Sequence, residues 1–299
     1  MSARDTSIST SILPPSTMIE RARRLDSIAF MVVPGLLFML VAFAAPVLYL
    51  VSDSLRDANG FTVDGYRKVL GDPYYIGVIL STLQLGLVTT LGTLLLGYPA
   101  AFAMSRAPPR LQVLLFALIF LPLTVSIIVK TFGLTIMMRR DGIINWLLVN
   151  LGFIERPIRL VFSEFALYFG MINVFLPFMI LPIYSVMRQL DPRLNDAAAS
   201  LGAGPVMTFL KVTLPLTMPG VVAGASLVFS IAVAAYVTPG LLIGDRFMTM
   251  SQVMAKAYLN IRDFNLGASM AVIMLVLAAI IVVVSTYLAQ LTSNRGRGL

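Results

Sequence analysis

Long apolar runs separated by short polar segments dominate this chain. Six runs are long enough to cross a bilayer, because a hydrocarbon core about 30 Å thick is spanned by about 20 residues of helix. Lipid offers no partner to unpaired backbone groups, so helices are the expected form of these runs. The pattern therefore predicts an all-α membrane protein with six transmembrane helices, at about 28–52, 77–104, 111–138, 162–187, 214–238 and 267–291.

The flanks of the first run predict the orientation. Three arginines lie within 21–24, directly before that run, and positive charge beside the first helix favours the cytoplasm. The number of basic residues does not distinguish the two orientations, since eleven of the 22 would lie on each side. We expect a cytoplasmic N-terminal tail at 1–27, a transmembrane domain at 28–291 and a cytoplasmic C-terminal tail at 292–299.

Two segments between the spans have helical periodicity of their own. Apolar residues within 143–150 recur at helical spacing, which predicts a short helix at the membrane interface with Trp146 at headgroup level. A second short helix is expected at 251–259. Gly220 and Gly224 form a GxxxG pattern, which lets membrane helices approach closely and is a candidate subunit contact.

Composition supports the membrane class and removes most enzyme chemistry. Apolar residues make up 58% of the chain and charged residues 12%, against about 25% charged in soluble proteins. The sequence has no cysteine and no histidine, so no catalytic residue, metal site or cofactor is predicted. The net charge of +8 is explained by basic residues at the ends of apolar runs, which favours a lipid surface over nucleic acid as the partner.

ATP hydrolysis by this chain is also not expected. A phosphate-binding loop needs a glycine directly before its lysine. None of the four lysines meets this condition, at positions 68, 130, 211 and 256. Energy for any active transport must therefore come from a partner subunit.

A short helix is predicted over 192–201, in the most polar segment between two apolar runs. Asp191 is a favourable N-cap, and proline follows at the first helical position. Gly202 suits a left-handed stop at the other end. A ten-residue helix is marginal alone, so we expect tertiary contacts or docking into a groove to hold it. Its apolar face would consist of Leu194, Ala197 and Leu201.

The same segment resembles the EAA loop of permeases in ATP-binding-cassette importers. That family's pattern is Glu-Ala-Ala, three residues, Gly, nine residues, Ile, one residue, Leu-Pro, and Asp and Val here replace Glu and Ile. The resemblance implies a type I importer permease fold in which the loop 191–215 is a cytoplasmic coupling helix docked on an ATPase. A helix that packs only on its own bundle is the alternative. The implied coupling residues are Asp196, Ala197, Ala198, Ala199, Gly202, Val212, Leu214 and Pro215.

Four further motifs resemble the first permease subunit of spermidine/putrescine importers. The resemblance implies a substrate that is a polyamine or a related cationic or amino compound, while other members of that branch carry opines or ferric ions. It also implies a bacterial inner-membrane location and three kinds of partner: two copies of a cytoplasmic ATPase, a second homologous permease, and a periplasmic or extracellular solute-binding protein. The motifs are RRDGIINWLLVNLGF at 139–153, LPFMILPIYSVM at 176–187, YVTPGLLIG at 236–244 and FNLGASMAVIML at 264–275.

Polar residues within or beside the spans are candidates for the substrate path. Asn173 and Gln84 are expected to face the bundle interior, where they would either pack or line a pore. Lys130 is expected to reach the outer interface with its ammonium, with a place in the path as the alternative. Tyr236 begins one of the quoted motifs.

Two acids flank the predicted outer segment that contains 251–259. Asp245 and Asp263 would attract a cationic substrate at the outer mouth, or would serve as solvated helix caps. The candidate path therefore comprises Asn173, Tyr236, Asp245 and Asp263.

A self-sufficient secondary transporter or channel is the alternative function. Such proteins typically carry an ion or proton relay inside the membrane. The centres of the six runs contain no Asp, Glu or His, which favours a permease driven by a partner. An intramembrane enzyme would need a nucleophile or metal constellation, and the sequence offers none.

Overall fold

The structure, a computed structural model, describes residues 15–57, 60–191 and 193–295. The first 14 residues of the predicted N-terminal tail, residues 58–59, Pro192 and the last four residues lie outside these ranges. The chain divides into a unit that ends at Ser52 and a unit that begins at Asp53. The first unit consists of helix α1, Pro15–Ser54, which continues two residues into the second and begins upstream of the apolar run at Ile28.

Helices and one two-stranded hairpin build the second unit. Strand β1 (Arg56–Asp57) pairs antiparallel with β2 (Gly60–Phe61). The helices are α2 (Asp64–Gly71), α3 (Pro73–Arg106), α4 (Pro109–Thr124), α5 (Ile127–Met137), α6 (Ile143–Asn150), α7 (Glu164–Gln189), α8 (Arg193–Ser200), α9 (Pro205–Thr208), α10 (Leu214–Ala234), α11 (Val237–Leu242), α12 (Met250–Lys256) and α13 (Phe264–Arg295). Two π-helical segments, Phe209–Thr213 and Ala257–Ile261, and a 3-10 turn, Gly244–Arg246, adjoin these helices.

The described helices include five that are long and apolar enough to cross a membrane, or six if α4 and α5 form one bent span. The third predicted span, 111–138, is therefore not a continuous helix. Its two halves meet at 101°, and Val125 and Ser126 between them have extended backbone. Pro122 lies within the last turn before this break and removes a hydrogen bond from the helix, which weakens it there.

Three long helices, α3, α7 and α10, form the centre of the second unit. Met179 of α7 and Val228 of α10 are fully buried in the cluster between them. A Cβ atom added to Gly220 would lie 2.9 Å from the carbonyl oxygen of Pro182, and one added to Gly224 would lie 3.0 Å from Sδ of Met179. The GxxxG pattern therefore packs α10 on α7 within the chain, and the expected role as a subunit contact is wrong.

A second cluster joins α2, α3, α12 and α13 around Val69, Met250 and Met270. The Asn265 side-chain amide donates to the backbone carbonyls of Ser54 (3.0 Å) and Arg56 (2.9 Å). These carbonyls follow the end of a helix, where backbone acceptors lack intrahelical donors. The amide of one residue thus ties the start of α13 to Ser54 and to the first strand of the hairpin.

The two short helices expected between the spans are confirmed. Helix α6 covers Ile143–Asn150 and leaves Trp146 exposed, as the predicted interface position requires. Helix α12 covers Met250–Lys256. Its first backbone N–H, that of Met250, donates to Thr82 Oγ1 at 2.9 Å, and the Thr82 hydroxyl donates in turn to the Val78 carbonyl at 2.7 Å.

Replacing Thr82 by valine should destabilise the protein by about 1–3 kcal/mol, because the Met250 N–H would be left buried without an acceptor. Thermal unfolding in detergent measures the change. Thr90 provides the matched control: it is also buried in α3, but its hydroxyl donates to the Gly86 carbonyl of its own helix. Equal shifts for Thr82→Val and Thr90→Val would contradict the assigned role of the Thr82 hydroxyl.

Candidate functional site

The predicted short helix is confirmed as α8, which ends one residue earlier than expected. Asp191 caps its start: the side-chain Oδ1 accepts from the Arg193 backbone N–H at 2.9 Å, and its carbonyl oxygen accepts from the Leu194 N–H at 3.1 Å. Pro192, the expected first residue, lies outside the described residues. Two of the donors that a helix start leaves unpaired are thus satisfied by one residue.

A glycine in the left-handed region ends α8. Gly202 has φ +81°, its N–H donates to the Ala199 carbonyl at 2.9 Å, and the next N–H, of Ala203, donates to the Ala198 carbonyl at 3.0 Å. This pair of bonds is the Schellman arrangement. Only a residue without a Cβ atom adopts this backbone without strain, so Gly202 fixes the exit direction of the chain.

The outer face of α8 is apolar and uncovered. Leu201 is 89% exposed and Leu194 is 41% exposed, and Ala197, between them at helical spacing, is exposed as well. Ala198, one turn after Leu194, is buried at the edge of this surface, while Asp196 and Ala199 are exposed. The helix therefore presents one small, flat apolar surface that this chain leaves open.

The chain after α8 is a continuous helical rod. It runs from α9 through the π-helical segment into α10, and α8 contacts its first two parts. Of the remaining motif residues, Val212 and Leu214 are half-buried and Pro215 is exposed near the start of α10. Helix α8 is therefore in contact with the base of a helix of the central bundle.

Aromatic and polar contacts fasten the base of this rod to α3. The Phe209 ring meets Tyr98 edge to face at 5.8 Å and Phe102 at 5.5 Å between centroids. The Tyr98 hydroxyl is 2.9 Å from Oγ1 of Thr217, and the Arg106 guanidinium carbon lies 4.2 Å from the centroid of the Phe102 ring. The sequence analysis did not predict these contacts, because the position of an aromatic residue in a membrane helix does not indicate which distant residue it will contact.

The candidate path residues fall in separate places. Tyr236 is half exposed at the break between α10 and α11, and it lines a cleft of about 480 Å³. Asp263 lies instead in a polar cavity beside the start of α13. The structure does not bring these two residues into one cavity. The cleft around Tyr236 is lined further by Ile128, Val237, Gly240, Leu241, Gly244, Gln252 and Lys256.

Asp263 has the geometry of a helix cap. Its Oδ1 accepts from the Leu266 N–H at 3.0 Å, and its carbonyl accepts from the Gly267 N–H at 3.1 Å. The backbone of Asp245 lies in the 3-10 turn Gly244–Arg246, and its side chain lies outside the described part of the structure. Capping, the alternative given for Asp263, is thus what its contacts support.

Two polar residues do not lie where the sequence placed them. Asn173 and Gln84 are exposed on this chain, so the expectation that they face its bundle interior is wrong. The buried positions of α3 and α7 are filled by small residues, namely glycine, alanine and threonine, or by larger and mostly apolar residues. Small residues allow the close helix approach seen here, which leaves an amide side chain no room between the helices.

The ammonium of Lys130 has a defined acceptor. Its Nζ donates to the backbone carbonyl of Asn173 at 3.3 Å, and the side chain is half-buried. Sequence reasoning had placed this ammonium at the outer interface and named no acceptor. One signal was present, since Pro177 follows Asn173 by four residues and removes the donor that its carbonyl would otherwise have.

Comparisons with known proteins give the family. Residues 93–296, more than half of the chain, match the family described as "Binding-protein-dependent transport system inner membrane component". The chain is 34% identical over 235 residues to the spermidine/putrescine transport system permease protein PotB of Escherichia coli K12, covering 79% of this chain and 85% of that protein. The corresponding protein of Haemophilus influenzae is 33% identical over 273 residues, with 90% and 91% covered.

A solved structure has the same fold. It is the crystal structure of a bacterial alginate ABC transporter in complex with an alginate pentasaccharide-bound periplasmic protein, with a TM-score of 0.71, 16% identity, and 92% of this chain and 97% of that chain covered. The predicted all-α permease fold is thereby confirmed. The chain belongs to the binding-protein-dependent transport system inner membrane components, and it is a multi-pass permease subunit of an ATP-binding-cassette importer rather than an enzyme.

Proposed function

We propose that this subunit imports a polyamine such as putrescine or spermidine, or a related small amino compound such as an opine. The names of the Escherichia coli and Haemophilus influenzae relatives support this substrate class. Two copies of a cytoplasmic ATPase supply the energy, a second homologous permease completes the membrane path, and a solute-binding protein delivers the substrate.

The exposed apolar face of α8 is the observation that supports coupling to the ATPase. A helix of eight residues is marginal alone, yet this one is capped at both ends and presents Leu194, Ala197 and Leu201 to its surroundings. Burial of such a face in a cleft of the ATPase removes apolar surface from water. The EAA-like residues Asp196 to Ala199, Gly202, Val212, Leu214 and Pro215 are proposed to form this coupling loop.

Closure of the ATPases would then reach the substrate path through the helical rod. Because Phe209 and Thr217 hold the start of α10 against α3, a shift of α8 moves these two helices together. The cleft around Tyr236 begins where α10 ends. We therefore place Tyr236 in the substrate path, with Asn173, Asp245 and Asp263 as further candidates.

Both termini are proposed to lie in the cytoplasm, with the domains at 1–27, 28–291 and 292–299. The absence of cysteine from the sequence makes this testable with single-cysteine variants. A membrane-impermeant maleimide should label Leu201→Cys only in inside-out vesicles washed free of ATPase, and Phe153→Cys, which is 74% exposed after α6, only in intact cells. Labelling of Leu201→Cys in intact cells would exclude the proposed orientation and the coupling role of α8.

Transport is tested with the assembled complex in proteoliposomes. Uptake of radiolabelled spermidine or putrescine should require the solute-binding protein and ATP on the side of α8, and an excess of unlabelled substrate should abolish it. Adding an opine to the same assay reports the breadth of the site. A complex that carries ferric ion and no amine would contradict the proposed substrate class, while leaving the coupling proposal standing.

A further inference from the structure

Helix α7 contains a backbone acceptor that its own helix cannot satisfy in the regular way. Residue 177 is proline, so it has no N–H to donate to the carbonyl of Asn173 four residues earlier. In a membrane-spanning helix such a freed carbonyl finds no water and is satisfied by neighbouring helices or side chains. Asn173 and Pro177 lie near the middle of α7, which makes this the natural bending point of the helix.

Lys130 supplies the missing donor from another helix. It lies in the first turn of α5, directly after the 101° bend, and its Nζ is 3.3 Å from the Asn173 carbonyl oxygen. No acidic side chain forms an ion pair with Lys130 in the described part of the chain. A charge placed within a membrane span is costly without such a partner. The hydrogen bond therefore gives the ammonium an acceptor and the freed carbonyl a donor.

The second proline of α7 is different. Pro182 frees the carbonyl of Phe178 by the same rule, and no side-chain donor from the described residues reaches that oxygen. Of the two carbonyls that these prolines free, only that of Asn173 is therefore bridged to another helix within the described residues. This gives the chain an internal control for any role of the bridge.

The bridge connects the central bundle with the elements that line the Tyr236 cleft. Helix α7 packs against α3 and α10, and α5 packs against α11. Thr131, next to Lys130, has its Oγ1 3.4 Å from that of Thr238 in α11. Movement of the bundle thus has a direct polar route, through Asn173, Lys130 and Thr131, to α11 and the cleft.

We propose that Lys130 is a positioning residue for transport: by donating to the Asn173 carbonyl it holds α5 and α11 to the proline hinge of α7, so that the outer cleft moves with the bundle. This inference rests on the proposed function for the cleft. In this arrangement Pro177 leaves the Asn173 carbonyl without a donor from its own helix, and Lys130 donates to that carbonyl. Neither residue contacts substrate in this role.

The test is a double-mutant cycle in the assembled transporter. Lys130→Met keeps the length and removes the donor, and it should lower uptake relative to ATP hydrolysed by about three- to tenfold, within the range measured for losing one interhelical hydrogen bond in a membrane protein. Lys130→Arg keeps a donor and should retain most of the ratio. Pro177→Ala restores an N–H that satisfies the Asn173 carbonyl within α7 but restores no contact with α5, so the double variant Lys130→Met/Pro177→Ala should remain as poorly coupled as Lys130→Met. Pro182→Ala should not rescue Lys130→Met.

Two readouts separate this inference from the proposed function. Thermal unfolding of the purified complex needs no substrate, and in its midpoint Pro177→Ala should rescue Lys130→Met, because the Asn173 carbonyl regains a donor. If wild-type complex carries no amine but the thermal cycle shows the rescue, the substrate proposal fails and the bridge stands. If Pro177→Ala restores coupling to Lys130→Met, the lysine serves only to satisfy the carbonyl and its positioning role is wrong. If Pro177→Ala gives no rescue of the thermal midpoint, or Pro182→Ala rescues it equally, the Asn173 carbonyl is not the partner that Lys130 serves.

Discussion

Replacing Gly202 by valine should uncouple ATP hydrolysis from uptake while the chain still inserts into the membrane. The residue has φ +81°, a backbone region that costs an L-residue about 1–2 kcal/mol and is a severe outlier for a β-branched one. A penalty of that size reduces the population of the capped helix by about 5- to 30-fold. Uptake of substrate per ATP hydrolysed, measured in proteoliposomes, should fall accordingly.

Gly204 offers the matched control for this variant. A Cβ atom at either glycine meets nothing within 4 Å, so steric contact does not distinguish them. Gly204, however, has φ −69°, which valine adopts without strain. Gly204→Val should therefore retain coupling. If both variants transport normally, the left-handed stop of α8 has no part in coupling; if both fail equally, the effect does not arise from the backbone of residue 202.

Gly220→Val should disrupt the packing of α10 on α7 and largely abolish a stable, active subunit. The added Cβ atom would lie 2.9 Å from the carbonyl oxygen of Pro182 and 3.0 Å from Cα of Ile183. Both are backbone atoms, so no side chain can rotate away, and the two helices must separate. Overpacking of this kind costs about 1–3 kcal/mol, and the loss of adjacent contacts adds to it.

Gly77 is the corresponding control, since it also lies within a long helix, α3, and a Cβ atom there meets nothing within 4 Å. Thermal unfolding in detergent and the yield of monodisperse complex measure both variants. A midpoint for Gly220→Val as high as that for Gly77→Val would show that α7 and α10 are not in the close contact described above.

Helix α8 was the most predictable part of the structure. Asp191 and Gly202 cap the helix through hydrogen bonds to backbone groups a few residues away. Such local interactions can be predicted from the residue types and their spacing. The apolar runs were equally informative, because bilayer thickness sets their length regardless of how they pack. The short helices α6 and α12 followed from the same local periodicity.

Features that depend on distant segments were not predictable. Gln84 and Asn173 are polar residues in apolar runs, and a run that is apolar all round gives no signal of which face is buried. The 101° turn between α4 and α5 likewise depends on what the two halves pack against. Pro122 marks a weak point in that run, but a proline alone does not state whether a membrane helix bends or breaks.

Leu194, Ala197 and Leu201 also bear on the fate of a permease that is synthesised in excess of its ATPase. With the orientation proposed above, an orphan copy displays to the cytosol an apolar patch of the kind that chaperones and proteases recognise in incompletely assembled proteins. The same surface would then have two roles. When bound it would couple transport to ATP hydrolysis, and when left uncovered it would mark the subunit as unassembled. Stoichiometry between subunits would follow from turnover of the unmatched chain rather than from balanced synthesis.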